Sequence, residues 1–370
     1  MSKLSVLKFG GSSFAPTSRY GEIASELARR VAKGERLVVV VSAPPGLTEN
    51  WRTQLLSINA HPSDEILGGL LPRADTVGAY FLSAALESKG ITSRVLTGNE
   101  VGIQTDSNYC RAQILSMDMR HLRGVLEYCP IVIVPGGQAE NAEHQLTWLG
   151  KNSSDFSAIA LAAALNLPSV DIHSDAEGIF SCDPAFIPGA QILPKISYGD
   201  AITMSLCGAK VLHHGGVLYA REHGVEIRCM HNQSPFQLGT TVGVGPVIRA
   251  VIPDFQSVTL SFSLEQVRQN VLDKLRGAAV PVIDLPPEQG KQDHFVLAIT
   301  CGYFDVEHFL ASNQLQADIG SQKLLTVLDD GRVEHSLWSS DAELTQAAIC
   351  IHKRLYQETV HFQDHERQRA

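Results

Sequence analysis

Short apolar runs alternate with amphipathic stretches along the first two thirds of the chain. The apolar runs, predicted as strands, are residues 5–9, 36–42, 131–135 and 170–173. The amphipathic stretches, predicted as helices, are residues 18–32, 76–88, 157–165 and a longer region over 198–223. Apolar strands separated by helices are typical of a sheet that is covered on both faces. The pattern therefore predicts an α/β domain with a mainly parallel sheet.

A shorter cycle follows residue 245. Strand-like residues 258–262, a helical face beginning at Leu264 and strand-like residues 280–285 form one strand, helix and strand unit. A second unit of similar length follows, with strands at 294–300 and 323–328, a helix at 306–313 and a final helix at 341–358. This weak internal repeat predicts a division into a domain of residues 1–245 and a domain of residues 246–370.

Composition limits the classes of protein that the sequence can encode. The 370 residues are 44% apolar and 19% charged, which is enough for a large core and about two domains. The net charge of −9 and the absence of a basic run argue against a nucleic-acid partner. No apolar run approaches the length of a membrane span, and residues 1–11 lack the pattern of a signal peptide. We therefore expect a cytoplasmic protein.

The seven cysteines are odd in number, widely spread and never spaced as Cys-x-x-Cys. This usage is typical of reduced thiols in a cytosolic protein. It predicts neither a zinc site nor a disulfide framework, and no metal-ligating residues are expected.

The strongest chemical signal is Lys8-Phe9-Gly10-Gly11-Ser12-Ser13, directly after the first predicted strand. Glycines at such a place let backbone N–H groups approach phosphate oxygens, and the lysine supplies a positive charge. The same segment alone is equally compatible with an ordinary tight turn. It matches neither the phosphate-binding pattern Gly-x-x-x-x-Gly-Lys-Ser/Thr nor the dinucleotide pattern Gly-x-Gly-x-x-Gly.

This segment resembles the opening motif of the aspartate kinases, Lys-Phe-Gly-Gly-Thr-Ser, within the amino-acid kinase family. Residues 42–50 are similar to the family's Ser-Ala-x-x-Gly-x-Thr-Asn loop, and residues 149–155 are similar to its Leu-Gly-Arg-Gly-Gly-Ser-Asp. The resemblance implies substrate contacts for Ser42, Thr48 and Ser154, and a catalytic role for Asp155. Lys151 replaces the arginine that holds the substrate α-carboxylate, so a bidentate fork becomes a point charge.

The resemblance continues through the nucleotide-binding parts of the family. Residues 173–184 resemble its nucleotide loop, which implies that Ser174, Asp175, Phe180 and Asp183 bind ATP, as do Gly10, Gly11 and Ser12 in the first loop. Ala185 stands where the family has an arginine, which removes one cationic phosphate contact. Residues 207–213 match the family's Gly-Ala-Lys-Val-Leu-His, so Lys210 would contact the phosphates opposite Lys8.

Two further features complete the resemblance. Asp75 aligns with the glutamate that binds the substrate amino group. The carboxy-terminal cycles look like the tandem ACT modules of aspartate kinases, which bind amino-acid effectors and commonly pair between chains. The implied architecture is an amino-acid-kinase-like three-layer α/β fold followed by ferredoxin-like α+β modules, in a homodimer or higher homo-oligomer.

Three functions agree with these residues. The first is phosphorylation of the aspartate side-chain carboxylate by ATP and Mg²⁺, for which Lys8 and Lys210 supply charge neutralisation. The second is a kinase for another small amino or hydroxy acid, because Lys151, Asp75 and the pair Asn152-Ser153 depart from the family pattern, in which two glycines stand in place of that pair. The third is an amino-acid-binding regulatory or partner subunit with weakened catalysis, because Ala185 replaces the arginine.

Overall fold

The computed structural model describes residues 3–209, 211–286, 294–300 and 304–367, and the side chains of these residues up to position 356. The strands are β1 (Leu4–Phe9), β2 (Arg36–Val41), β3 (Ser93–Val95), β4 (Ile103–Thr105), β5 (Ile114–Met117), β6 (Ile131–Pro135), β7 (Gln138–Glu140), β8 (Leu146–Trp148), β9 (Ser169–Ser174), β10 (Lys195–Ser197), β11 (Glu226–His231), β12 (Leu238–Gly243), β13 (Arg249–Asp254), β14 (Val258–Phe262), β15 (Val282–Leu285), β16 (Phe295–Ile299), β17 (Asp318–Gly320), β18 (Lys323–Asp329) and β19 (Arg332–Trp338). The helices are α1 (Arg19–Ala32), α2 (Leu47–Ile58), α3 (Asp64–Leu70), α4 (Arg73–Glu87), α5 (Gly98–Val101), α6 (Arg120–Tyr128), α7 (Ser154–Ala164), α8 (Tyr198–Leu206), α9 (His214–His223), α10 (Glu265–Gly277), α11 (Val306–Ser312) and α12 (Asp341–Arg367).

The chain divides into two compact units. The first runs up to Gly178 and includes Gly215–Gly243, and the second consists of Ile179–His214 with the chain from Val244 onward. The predicted domain division between residues 245 and 246 stays a prediction. No helix among the described residues has the length and apolar character that crossing a bilayer requires.

The first unit is built on a sheet whose strands follow the order β12, β11, β9, β1, β2, β6 and β3. Neighbouring strands from β11 to β3 run parallel, and β12 is antiparallel to β11. A second, smaller sheet in this unit has the order β5, β4, β7 and β8. The apolar runs form the centre of the large sheet because both of its faces are covered.

Helices cover the two faces of this sheet. Alternate strand residues such as Leu7, Phe9 and Val39 share a buried cluster with Leu27 of α1 and Leu82 of α4. Helix α7 contacts β1, β2 and β9. Because successive strand side chains point to opposite faces, α7 packs on the face away from α1 and α4. The predicted α/β fold with a mainly parallel sheet in a layered arrangement is confirmed.

The second unit contains a ferredoxin-like module. Its chain order is β14, α10, β15, β16, α11 and β17, and its antiparallel sheet has the order β15, β16, β14 and β17. Strand β13 belongs to another sheet, where it pairs with β18, which pairs in turn with β19. Helix α12 packs on β13 and β18. The two predicted repeats are therefore shared between the sheets, because β16 and α11 of the second repeat complete the module that begins in the first.

The helix expected over residues 198–223 is interrupted. Helix α8 ends at Leu206, and α9 begins at His214. Gly208 has a φ of 96°, and a Cβ atom there would lie 2.5 Å from the Asp254 Cγ atom. The left-handed backbone and this close approach both require glycine and end the first helix.

Candidate active site

The sequence motifs meet at one edge of the large sheet. Lys8 lies at the end of β1, Ser42 directly follows β2, and Ser174 ends β9. These three strands are parallel neighbours, so their carboxyl ends lie at the same edge. In open α/β sheets this is the edge at which ligands bind.

A buried ion pair lies at the centre of this edge. The Lys8 Nζ atom is 2.7 Å from the Asp155 Oδ1 atom, and the two side chains are only 11% and 10% exposed. Asp155 lies in the first turn of α7, where the helix dipole favours a negative charge. A buried pair of this kind gives the lysine ammonium a fixed position, because either charge alone would be costly in this environment.

The glycines of the first loop are required by close packing. A Cβ atom on Gly10 would lie 3.1 Å from the Lys8 Nζ atom, and one on Gly11 would lie 2.9 Å from the Ala43 carbonyl oxygen. The Gly10 amide donates to the His173 carbonyl over 3.3 Å, and a 3₁₀ turn over Gly11–Phe14 follows, with Ser12 exposed on it. The loop therefore brings its backbone close to the lysine ammonium.

Serine and aspartate side chains extend the site toward β2 and α4. The Ser42 Oγ atom is 2.8 Å from the Ser154 Oγ atom. The Ala43 amide donates to Asp75 Oδ1. Burial raises the pKa of Asp75 to about 8, although the Ala43 hydrogen bond and the charge of Lys8 both act in the opposite direction. A pKa in this range favours the protonated carboxyl at neutral pH in the absence of a ligand.

Two glycines directly after β6 pack against side chains of the site, and the sequence analysis did not identify them. A Cβ atom on Gly136 would lie 2.4 Å from the Ser154 Cβ atom and 3.3 Å from Asp75 Oδ2. Gly137 has a φ of 71°, and its amide donates to Ser157 Oγ over 2.8 Å. The signal that identifies them is a Gly-Gly pair directly after a fully apolar strand.

His173 also supports the site and was not predicted to do so. Its ring stacks on Phe9 with centroids 4.3 Å apart, and its Nδ1 atom is 3.2 Å from the Lys8 carbonyl oxygen. Burial lowers the pKa of His173 to about 4. A neutral imidazole therefore fixes the end of β1 on which Lys8 lies.

Thr48 and Lys151 lie toward the surface. Thr48 is half-buried in the first turn of α2, and the neighbouring Glu49 Oε1 atom is 3.5 Å from the Lys151 Nζ atom. Asn152 has a φ of 59°, a left-handed conformation that asparagine tolerates better than most residues. Asn152 thus has a backbone conformation that is typical of glycine, the residue that the family has at this position.

The predicted nucleotide contacts divide between the two units. Ser174 and the exposed Asp175 belong to the first unit, where the Asn232 amide donates to the Ser174 carbonyl over 2.7 Å. Phe180 and Asp183 belong to the second unit, and Asp183 Oδ1 accepts a hydrogen bond from the Ala185 amide over 2.9 Å. Lys210 lies outside the described residues.

The parallel sheet and the lysine and glycine loop at its edge define a phosphoryl-transfer protein of the amino acid kinase class. In agreement, the model of the Amino acid kinase family matches residues 3–231, and the chain belongs to this family.

Within it, the chain belongs to the aspartokinases. It is 30% identical over 287 residues to an aspartokinase of Thermus thermophilus, covering 78% of this chain and 67% of the relative. It is 35% identical over 222 residues to the aspartokinase of Geobacillus stearothermophilus, covering 60% of this chain and 54% of the relative. The chain thus spans about half to two thirds of the length of these relatives. The predicted family is confirmed.

Solved structures agree on the fold. E. coli aspartokinase III in complex with aspartate and ADP aligns with a TM-score of 0.69 at 19% identity, covering 88% of this chain and 87% of that one. The aspartate kinase of Synechocystis aligns with a TM-score of 0.59 at 26% identity, covering 89% of this chain and 60% of that one. The alignment with aspartokinase III extends past the kinase domain into the ferredoxin-like unit.

Proposed function

We propose that this chain transfers the γ-phosphoryl group of ATP to the side-chain carboxylate of L-aspartate, giving an acyl phosphate and ADP. The observation that carries the proposal is the buried Lys8 and Asp155 pair at the carboxyl edge of the parallel sheet. Membership of the aspartokinases and the alignment with a structure that contains aspartate and ADP support the same reaction.

The transfer needs positioning and charge neutralisation more than covalent help from the protein. An aspartate carboxylate oxygen attacks the γ-phosphorus, and the bond from phosphorus to the bridging oxygen of ADP breaks. Lys8, with the glycine loop beside it, is proposed to neutralise the charge on the transferring group. Lys210 is proposed to act from the other side of the phosphates, and Ser174, Asp175, Phe180 and Asp183 to bind the nucleotide.

Mg²⁺ is proposed to accompany ATP. Among the residues that the structure describes, no group of three or more His, Cys, Asp or Glu side chains forms an ion site. The ion would therefore be held mainly by phosphate oxygens, with Asp155 as the nearby carboxylate, and it would neutralise phosphate charge. The anionic carboxylate oxygens of Asp155, which lie beside Lys8, are ligands of the type that a hard cation prefers.

On the acceptor side, Ser42, Thr48 and Ser154 are proposed to orient the carboxylate that is phosphorylated. Lys151 would attract the α-carboxylate as a point charge. Asp75 would receive the ammonium group, which requires the carboxyl to lose its proton. The ACT-like modules are proposed to bind an amino-acid effector in a homodimer or higher homo-oligomer, and a structure of E. coli aspartokinase III contains both lysine and aspartate.

A second acceptor is favoured by one observation. The Asp75 carboxyl accepts a hydrogen bond from the Ala43 amide, and burial raises its pKa to about 8, so in its protonated form it can also donate a hydrogen bond to an acid that lacks an ammonium group. A coupled assay of ADP release with aspartate, glutamate, N-acylated and hydroxy acids separates the two functions. A kcat/KM that is highest for an acid without a free amino group would favour the second.

The direct test is Lys8→Gln, with the exposed Lys33→Gln as matched control. Loss of the Lys8 charge should lower kcat for aspartate phosphorylation by about 10²-fold or more, since it acts on developing charge in the transition state. Lys33→Gln should leave kcat unchanged. Thermal unfolding of both variants, measured in parallel, separates lost chemistry from lost folding. Equal kcat in a folded Lys8→Gln variant and the wild type would contradict the proposed role.

A further inference from the structure

A cavity of about 550 Å³ lies within the first unit, beside helix α4. Arg73, Val77 and Tyr80 line it and recur every three or four residues, which places them on one face of the helix. Asp75 is roughly 200° from Arg73 around the helix axis. The opposite face packs toward β2, because a Cβ atom on Gly78 would lie 2.4 Å from the Ser42 carbonyl oxygen. The cavity is therefore separate from the candidate active site.

The cavity wall carries groups of both charges. Glu140 is only 8% exposed, and its Oε2 atom is 3.2 Å from the Nδ1 atom of the solvent-exposed His144 ring. Arg73 lies on the wall at the start of α4, where its Nε atom donates to the Gly69 carbonyl over 2.8 Å. That hydrogen bond orients the guanidinium, which has further N–H groups for a ligand. A small zwitterion can satisfy both charges.

Aromatic surface lies beside these charges. Tyr80 and Phe81 are 58% and 47% exposed, and both line the cavity. Exposed rings on a concave wall are typical of sites that bury an apolar ligand group. Together with a cation and a buried anion, they fit a ligand that has an ammonium, a carboxylate and an apolar side chain.

Gln138 lines the cavity, and three hydrogen bonds fix its side-chain amide. Its Nε2 atom donates to the Pro72 carbonyl over 2.7 Å and to Thr76 Oγ1 over 2.8 Å, and its Oε1 atom accepts from the Gly98 amide over 3.1 Å. This buried amide joins the first turn of α4 to β7 and α5. A site with such support is positioned before the ligand arrives.

We propose that this cavity binds a free α-amino acid with an apolar or aromatic side chain. Glu140 receives the ammonium, Arg73 receives the carboxylate, and the side chain packs on Tyr80 and Phe81.

The test is isothermal titration calorimetry of the full chain with individual amino acids, in the presence of saturating aspartate and a non-hydrolysable ATP analogue. Glu140→Gln and Arg73→Gln should each raise the Kd of the bound amino acid at least about tenfold, because each removes a charge-assisted hydrogen bond. The matched controls are Glu143→Gln and Arg123→Gln, two exposed residues that do not line the cavity, and they should leave the Kd unchanged.

Tyr80→Ala provides an independent measurement, because this exposed side chain is not needed for folding. It should weaken binding of the amino acids with large side chains and leave that of alanine unchanged. Three results would overturn the proposal. The first is that no amino acid binds at concentrations up to about 10 mM. The second is that Glu140→Gln and Arg73→Gln leave the Kd unchanged. The third is that no amino acid binds and Tyr80→Ala converts an oligomer to a monomer, which would make this surface a subunit interface.

Discussion

The protonation of Asp75 gives a quantitative prediction for stability. Its folded-state pKa of about 8 lies well above the ordinary value of 3.8, so between these values the folded chain holds a proton that the unfolded chain has released. The folded state is then favoured at low pH, and this contribution is lost as the pH rises through 8. From pH 5 to pH 7 the loss should be about 2–3 kcal/mol, because each pH unit in this interval contributes roughly 1.4 kcal/mol.

Asp75→Asn isolates this contribution. The amide oxygen still accepts the Ala43 hydrogen bond, while the titration is removed. Urea unfolding of both proteins at several pH values, without ligands, gives the difference in their free energies of unfolding. The wild type should lose about 2–3 kcal/mol relative to the variant over this interval. Parallel curves for the two proteins would refute the assignment of a raised pKa.

The protonation of Asp75 also allows a test of its proposed contact with the ammonium group of aspartate. An ammonium beside Asp75 favours the carboxylate, so binding of aspartate should release the proton. Because the pKa of about 8 lies above 7, the protonated carboxyl predominates at pH 7, and binding should release a large part of one proton per aspartate bound. Calorimetry in buffers with different ionisation enthalpies measures this number. Release that is unchanged in Asp75→Asn would exclude the carboxyl as its source.

Two further predictions concern the residues that the sequence analysis missed. Gly136→Ala should destabilise the chain by about 1–3 kcal/mol and lower kcat, because its Cβ atom would lie 2.4 Å from that of Ser154. The control is Gly124→Ala, which should not reduce stability, because Gly124 is helical and no atom lies within 4 Å of the added carbon. For His173, the pKa of about 4 lies below the ordinary 6.5, so stability should fall as the pH falls from 6.5 toward 4. Relative to His173→Gln, the wild type should lose roughly 1 kcal/mol from pH 6 to pH 5 in urea unfolding, and a loss of the same size in both proteins would contradict this.

The sequence predicts the central strands because apolar residues dominate each of them. Strands β1, β2, β6 and β9 all overlap the predicted segments, since a sheet that is covered on both faces selects mostly apolar residues. The short strands of the small sheet, such as β4 and β7, were not predicted. Strands of three residues such as Gln138–Glu140 are too short to show a period, and polar side chains interrupt them.

Pairing between remote segments limits the prediction of the second unit. Strand β13 pairs with β18 from Arg249↔Asp329 to Asp254↔Leu324, with a whole ferredoxin-like module inserted between them. Periodicity reports only which residues form a strand and gives no information about its partner. The repeats could therefore be recognised along the sequence while their division between two sheets could not.

The predicted nucleotide loop is a second case in which the sequence does not show which remote segments pack together. As a sequence motif, residues 173–184 form one continuous element, and the predicted contacts were assigned to it together. In the fold, the chain leaves the first unit after Gly178. In the second unit the buried Ser181 Oγ atom shares a hydrogen bond with His352 Nε2 and accepts one from the Gln191 amide, both over 2.9 Å. His352 lies on α12 and its ring stacks on Tyr356. Phe180 directly precedes Ser181, so its proposed role in binding ATP depends on a contact with a residue about 170 positions away in sequence, which no local motif records.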